Sequence, residues 1–359
     1  MKKVTGLLLT ITLLLNLTCI SMAASTEKEN PYVQQYINEK SATYKSISLE
    51  SDMSDEYESS IAILEEYYND DIKVAEIVKE YTKKSDFYIQ ALSLEKEDKI
   101  NLMHTIEDIY YNVNDEQQQI LKGYLDRYAN CSKDDKAISF LKELNPKVEK
   151  RMPNSIEDMK KQSQDVLKNN NMYTASSSYS GGDAAEWAYD NYDSYSTDFP
   201  AFTKWGSDCT NFVSQAIYHG GKSMEGDWYC YKKNSKYLEP RSAKELNDSW
   251  DLADPSPWIS VKEFASYWES ECDEVFYSKA EYVKNHSQIF KKKLYKGDVV
   301  ILHDGVAGWI TMPKHAMIIS GYDNDNDDYL LAGHSNNRQA YELLNAIDDY
   351  VTVEFIYIQ

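Results

Sequence analysis

The spacing of apolar side chains divides the chain into two parts. Between about residues 27 and 167, aliphatic and tyrosine side chains recur every three or four positions, as Ile61, Leu64 and Tyr68 do. This spacing places them on one face of a helix. Glycine and proline are almost absent from this stretch. The pattern predicts a helical bundle or an array of helical hairpins, with these apolar stripes as its core.

The second part of the chain passes from a helical to a β pattern. A small, polar stretch from Asn169 to Gly182 predicts a linker or loop before it. An apolar helix near residue 209 and an irregular, partly helical region to about Tyr295 come next. The apolar runs that follow are typical of strands: Val299–Leu302, Ala316–Gly321, Tyr329–Ala332 and Tyr350–Ile358. Helices followed by strands in this order indicate an α+β fold.

The first residues are organised like a secretion signal. Lys2 and Lys3 precede a long apolar run, and Ser21-Met22-Ala23 forms a small-x-small cleavage site. A lipid anchor on Cys19 is the alternative, which we disfavour because the residues before it are a poor lipoprotein signal. We therefore predict a signal peptide at 1–23, a helical domain at 24–170 and an α+β domain at 171–359. The mature protein is expected outside the cytoplasm, with no later membrane span.

Charge and cysteine content exclude several classes of partner and cofactor. The formal net charge is −21, which disfavours binding to nucleic acid or to an anionic membrane and favours solubility. The cysteines left after signal removal are too few and too widely spaced for a disulfide scaffold, although a Cys230–Cys272 bridge stays open. No cysteine or histidine cluster has the spacing of a zinc site. We expect no metal and no cofactor.

Cys209 stands at the start of the apolar helix and is the candidate nucleophile. Ser207 or Asp208 can cap that helix, and Gly220-Gly221 can end it. The free amides and dipole of a helix start favour the thiolate, which is the reactive form of cysteine. The alternative is a buried, inert cysteine. The polar neighbours of Cys209 indicate instead an exposed thiol.

Two downstream histidines supply the remaining members of a candidate triad. His315 opens the run Ala316–Gly321 and His334 follows the run Tyr329–Ala332, so a hairpin would bring the two side by side. We predict that His315 is the general base and that His334 accepts a hydrogen bond from its second ring nitrogen. Asn336 is the alternative third member.

Other residues are weaker candidates for the general base or for a metal site. His303 also follows a strand and is the rival base, whereas His219 and His286 are poorly placed. The acidic turn from Asp323 to Asp328 resembles the start of a calcium loop, but it lacks the glycine and the final glutamate of such a loop. A solvated hairpin turn is favoured for it over a calcium site.

The run from Ser207 to Ile217, followed by Gly220-Gly221 and Trp228-Tyr229, resembles the bacterial putative amidase domain. This family is similar to papain-like cysteine peptidases and to bacterial cell-wall hydrolases. The resemblance extends from about Tyr179 to the C-terminus and includes further segments: Ala184–Ala188, Lys296–Val300, His315–Tyr322 and Gly333–Asn336. Ser180-Gly181-Gly182 departs from the polar and basic pair expected there. The resemblance implies a papain-like fold and amide-bond hydrolysis without identifying the amide.

These observations together predict a secreted, cysteine-dependent amidase or peptidase. Its expected substrate is a peptide or a peptidoglycan stem peptide, because the compartment is extracellular. The second oxyanion donor stays unassigned, since the residues before Cys209 include no glutamine. Acyl transfer through the same thioester is one alternative. A non-catalytic surface-binding protein on a papain-like scaffold is the other.

Overall fold

The computed structural model describes residues 30–44, 52–83, 87–144, 179–291, 294–334 and 336–358. The expected signal peptide, the alternative lipid site at Cys19 and the predicted boundary near residue 170 lie outside these ranges. Within them, no helix combines the length and the apolar character that a membrane crossing requires.

The N-terminal part is helical, as its apolar spacing predicted. Leu64, Leu102 and Tyr124 are completely buried, so the stripes form a core. A capping box at Asn114 and Gln117 starts one of the helices by satisfying its free amides. The helices are α1 (Pro31–Tyr44), α2 (Asp52–Thr82), α3 (Phe87–Leu92), α4 (Lys96–Ile109), α5 (Asp115–Ser132) and α6 (Asp135–Leu144).

The C-terminal part mixes helices with a sheet. Its helices are α7 (Gly181–Asn191), α8 (Cys209–His219), α9 (Ala243–Ser249), α10 (Val261–Glu271), α11 (Lys279–Phe290) and α12 (Leu343–Ala346). A small ribbon pairs β1 (Cys230–Lys232) with β2 (Trp250–Leu252). The main sheet contains β3 (Asp273–Ser278), β4 (Val299–Val306), β5 (Ile310–Asp323), β6 (Asp328–Gly333), β7 (Arg338–Glu342) and β8 (Thr352–Tyr357).

The main sheet is antiparallel, with strand order β3-β8-β4-β5-β6-β7. Alternate residues of β4 point to opposite faces. Val299 and Ile301 join a core with α7, α8 and α10, while Val300 and Leu302 join a core with α11 and α12. The sheet is therefore covered on both faces. The model confirms a mixed fold with helices first and the sheet afterwards.

The two parts share a core at the tip of the β4–β5 hairpin. Val306, Ile310 and Met312 are buried among the side chains of the N-terminal helices. The Tyr36 hydroxyl of α1 donates to Asp304 at 2.7 Å, and the Trp309 indole donates to the Leu94 carbonyl at 2.9 Å. These contacts tie the sheet to the helical part through one hairpin.

Several local predictions need correction. Gly181-Gly182, expected in a linker, form the first turn of α7, and Ser180 caps that helix by accepting from the Asp183 amide. A Cβ on Gly181 would lie 2.3 Å from the Lys296 carbonyl oxygen, so only glycine fits there. Two strands, β3 and β7, were not predicted from the sequence; both are half-buried edge strands. Their weak apolar content explains the omission.

Among the described cysteines there is no disulfide, so Cys230 and Cys272 are not bridged. Both side chains lie in the core beneath α8 and α10. The tryptophans Trp228, Trp250, Trp258 and Trp268 are buried in or beside the same core. They pack the domain rather than line an open cleft.

Candidate active site

Cys209 is the first residue of α8, as predicted, and that helix ends at Gly220. Its side chain is only 2% exposed, so the expectation of an exposed thiol was wrong. The reason lies in its neighbours: Asp208, Thr210 and Asn211 are buried themselves and face protein groups instead of water. The sulfur nevertheless has polar surroundings, because the Ser207 hydroxyl donates to it at 3.3 Å.

The electrostatics at Cys209 favour a thiolate. Burial alone raises the thiol pKa, but the charge and hydrogen bond of His315 lower it, together with the Ser207 hydroxyl and the Ala316 amide. The net result is a pKa of about 6, well below the usual value of a thiol. By contrast, burial raises the pKa of Cys131 to about 12 and raises that of Cys230 as well. Cys209 is thus electrostatically distinct from both.

His315 reaches Cys209 from a distorted position on β5. Leu302 of β4 pairs with His315, but the next residue, His303, pairs with Pro313, so Lys314 is an extra residue in β5. Such a bulge bends a strand and re-aims the side chains beside it. The His315 ring is half-buried and parallel to Tyr350, with centroids 6.5 Å apart. The bulge in β5 and the start of α8 together bring His315 within hydrogen-bonding reach of Cys209.

Asp208 anchors the loop that precedes Cys209. It holds the N-cap position of α8, but its carboxylate makes no cap bond to the helix amides. One oxygen instead accepts from the Phe202 amide and the Asn211 side chain, each at 2.9 Å. The other oxygen accepts from Nδ1 of His334. This buried carboxylate therefore holds together three chain segments around the nucleophile.

The polar residues of α8 continue this anchoring into the core. The Trp258 indole donates to the Asn211 side-chain oxygen at 3.0 Å, and Asn211 donates to the Pro200 carbonyl at 2.7 Å. One turn later, the Trp228 indole donates to the Ser214 hydroxyl at 3.1 Å. These contacts explain why the helix can bury Asn211 and Ser214, since both side chains have fixed hydrogen-bond partners.

His334 makes different contacts from the one predicted. Its Nδ1 is bound to Asp208, and its Nε2 lies 3.2 Å from the Asn191 carbonyl oxygen. The ring packs against Phe212, with centroids 4.2 Å apart. Because both nitrogens have other partners, the expected hydrogen bond to His315 is replaced by these two.

Comparison with known families adds to this geometry. The model of the putative amidase domain matches residues 178–357, which is half of the chain. The chain belongs to the putative amidase domain family. Membership indicates a hydrolase, and it covers α7, α8 and the strands that carry the residues described above. No curated protein and no solved structure is detectably similar to the chain.

Within this amidase domain, the alternative third member Asn336 is exposed. It lies in the turn between β6 and β7 with a left-handed backbone, φ 72°. Its side chain makes no hydrogen bond with any residue that the structure describes. Its position gives no support to a role as the third triad member that orients His315.

The other histidines of the amidase domain lie apart from Cys209. His219 stacks on Trp187 at the end of α8, and His286 contacts the Asp327 carbonyl. The rival base His303 is bound to Glu354. None of these contacts involves the thiol.

The acidic turn of the amidase domain joins β5 to β6, as the hairpin prediction required. Asp323 accepts from the amides of Asp325 and Asn326 within the turn. Asp328 accepts from the Tyr282 hydroxyl at 2.8 Å. Across the described ranges, no three acidic, histidine or cysteine side chains are arranged to hold a metal ion. The β5–β6 pairing confirms the predicted hairpin turn.

Proposed function

We propose that this protein is a secreted, cysteine-dependent amide hydrolase with Cys209 as nucleophile and His315 as general base. The strongest support is the interaction between the thiol and the His315 imidazole, which helps to lower the thiol pKa to about 6. At neutral pH a thiol with this pKa is mostly thiolate, the form that attacks a carbonyl.

The reaction would follow from this pair. The Cys209 sulfur attacks the amide carbonyl carbon, and the protonated His315 gives its proton to the leaving nitrogen as the C–N bond breaks. Water, deprotonated by His315, then attacks the thioester carbon. The C–S bond breaks, the acid leaves, and the thiolate–imidazolium pair is restored.

Two groups beside the sulfur are candidates for stabilising the oxyanion. The Cys209 backbone amide lies at the free start of α8, where amide hydrogens lack helical acceptors. The Ser207 hydroxyl, 3.3 Å from the sulfur, is a candidate for the second donor that the sequence left unassigned. Ser207 would then exchange its bond to sulfur for one to the substrate oxygen.

Asp208 and His334 act in this proposal as positioning residues. Their buried pair joins the loop before Cys209 to the end of β6 and, through Asn191, to α7. It fixes the direction of the helix start without touching the reacting atoms. In this proposal His334 therefore positions the nucleophile Cys209, whereas the sequence had predicted that it positions the base His315.

The proposed substrate is a peptide or a peptidoglycan stem peptide, given the secretion expected from the N-terminal sequence. The test is incubation of the mature protein with purified peptidoglycan and with a peptide library, with products identified by mass spectrometry. Cys209→Ala should remove all turnover. Cys230→Ala is the matched control, because both cysteines are 2% exposed.

Three results would decide between the proposed activities. Full turnover by Cys209→Ala would refute cysteine catalysis. Products carrying an added amine in place of water would indicate acyl transfer. A wild-type protein that binds peptidoglycan and cleaves nothing would favour the non-catalytic alternative.

A further inference from the structure

A cavity of about 210 Å³ lies where the N-terminal helices meet the sheet. We call it the seam cavity. Its wall includes Tyr67 of α2, Arg127 of α5, Glu269 of α10, His303 of β4 and Glu354 of β8. At about 30 Å³ per water molecule, it has room for about seven waters or a small ligand of similar size. It is separate from the candidate active site, because neither Cys209 nor His315 lines it.

The wall of the seam cavity carries an excess of acidic side chains. The carboxyl groups are those of Asp126, Glu263, Glu269 and Glu354, and the basic groups are those of Arg127 and Lys262. A partly enclosed site with this balance attracts a cation.

The two basic side chains already have acidic partners outside the cavity wall. Arg127 binds Asp71 at 2.9 Å and Asp70 at 3.3 Å. Lys262 is paired with Glu66 of α2 and with Glu263 of the wall. Asp126 of the wall is paired with Lys122, and Glu354 with His303. Most charges of the wall are therefore committed to existing pairs.

Glu269 is the acidic side chain of the wall that these pairs leave out. Among the described residues, no cation lies within ion-pair distance of it. Burial, followed by the charges of Glu274, Asp126 and Glu354, raises its pKa well above the ordinary value of a carboxyl group. A cation placed among these groups would relieve both the repulsion and the desolvation.

His303 adds an independent sign of a missing ligand. It is 3% exposed, and its Nε2 lies 2.8 Å from the Glu354 carboxylate. Its Nδ1 is buried without a hydrogen-bond partner in the described part of the chain. In the tautomer that donates from Nε2 to the carboxylate, Nδ1 carries a lone pair. Buried polar atoms are normally satisfied, so this one calls for a donor.

The chemistry of the wall distinguishes an organic cation from a metal ion. Within the described ranges, no three acidic, histidine or cysteine side chains converge as metal ligands. An ammonium group supplies N–H donors that the His303 lone pair and a carboxylate of the wall can accept. The Tyr67 and Phe276 rings and Pro313 offer an apolar surface for a short hydrocarbon chain. We propose that the seam cavity binds a small organic cation carrying a primary ammonium group.

The test uses the full mature chain carrying Cys209→Ala, so that its result does not depend on the proposed hydrolysis. Binding of 1,4-diaminobutane is measured by calorimetry and by the rise in melting temperature, with 1,4-butanediol as the neutral probe of equal length. We expect saturable binding of the diamine and none of the diol. Glu269→Gln and Glu354→Gln should each weaken diamine binding at least tenfold. Glu271→Gln, an exposed change on the same helix, should not.

Several outcomes would overturn the proposal. These are no saturable diamine binding, equal weakening by Glu271→Gln, or an equal response to magnesium chloride at matched ionic strength. Should Glu269→Gln fail to fold, hydrogen exchange of the Cys209→Ala chain provides the decision. The diamine should slow exchange in residues 123–131 and 262–269, and unchanged exchange there would also refute the site.

Discussion

Two buried histidine–carboxylate pairs, His334–Asp208 and His303–Glu354, differ in how completely they are satisfied. Both histidines are almost fully buried, at 2% and 3% exposure. His334 uses both ring nitrogens, and Asp208 accepts from two further donors. His303 uses one ring nitrogen and leaves Nδ1 unpartnered among the described residues.

The difference separates a support from a binding site. A buried polar group with every partner in place holds one geometry, which suits the segment that carries a nucleophile. A buried polar group that lacks a partner can form a hydrogen bond with a ligand. The same pair of residue types therefore serves positioning beside Cys209 and recognition in the seam cavity.

The largest expected effect tests whether the region around Cys209, where the buried polar groups have their partners, is catalytic. His315→Gln should lower turnover about a thousandfold, within the range for a lost general base. It should also raise the thiol pKa from about 6, because burial then acts without the opposing His315 charge. Turnover and the pH dependence of Cys209 alkylation measure the two effects. His219→Gln is the control, and an unchanged thiol pKa in His315→Gln would contradict the assignment.

The second prediction compares the two carboxylates directly. Asp208→Ala should reduce the free energy of unfolding by about 3–5 kcal/mol, because Nδ1 of His334, one N–H of Asn211 and the Phe202 amide each lose their buried acceptor. Glu354→Ala should cost less, since it strands His303 alone and relieves the crowding around Glu269. Urea denaturation of both variants gives the comparison. Equal losses of unfolding free energy in the two variants would contradict the proposed difference between the His334–Asp208 and His303–Glu354 pairs.

The third prediction concerns thiol reactivity. Iodoacetamide at pH 7 should modify Cys209 about tenfold faster than Cys230, which is buried to the same extent but has a raised pKa. The thiolate fraction of Cys209 is present above about pH 6 and should be lost as the pH falls through that value. Mass spectrometry of timed samples measures both rates. Equal rates across pH 5–9 would argue against thiolate activation at Cys209.

The smallest effect concerns the hydrogen bond between α1 and the β4–β5 hairpin. Tyr36→Phe removes the hydrogen bond to Asp304 and should cost about 1 kcal/mol of unfolding free energy. Tyr81→Phe is the matched control, because its hydroxyl bond to Gln117 is exposed and should contribute little. Thermal unfolding compares the two variants. A loss in Tyr81→Phe as large as that in Tyr36→Phe would mean that burial of the bond is not what matters.

The sequence predicted much of the fold because local spacing encodes local structure. The helical stripes, the start of α8 at Cys209, its end at Gly220 and the β5–β6 hairpin follow from such spacing. The edge strands β3 and β7 escaped prediction, because half-buried edge strands need no strong apolar alternation. The packing of the β4–β5 tip among the N-terminal helices escaped it too, since that contact joins residues more than two hundred positions apart.

For the candidate site, the chain alone determined which side chains are chemically able to act: Cys209 at a helix start, and His315 and His334 at strand ends. Only the tertiary structure decided what each histidine touches and how far the thiol is buried. A hydrogen bond depends on directions set by a bulge at Lys314 and by loops from distant segments. For that reason His334 binds Asp208 and not His315, and His303 lies open to the seam cavity.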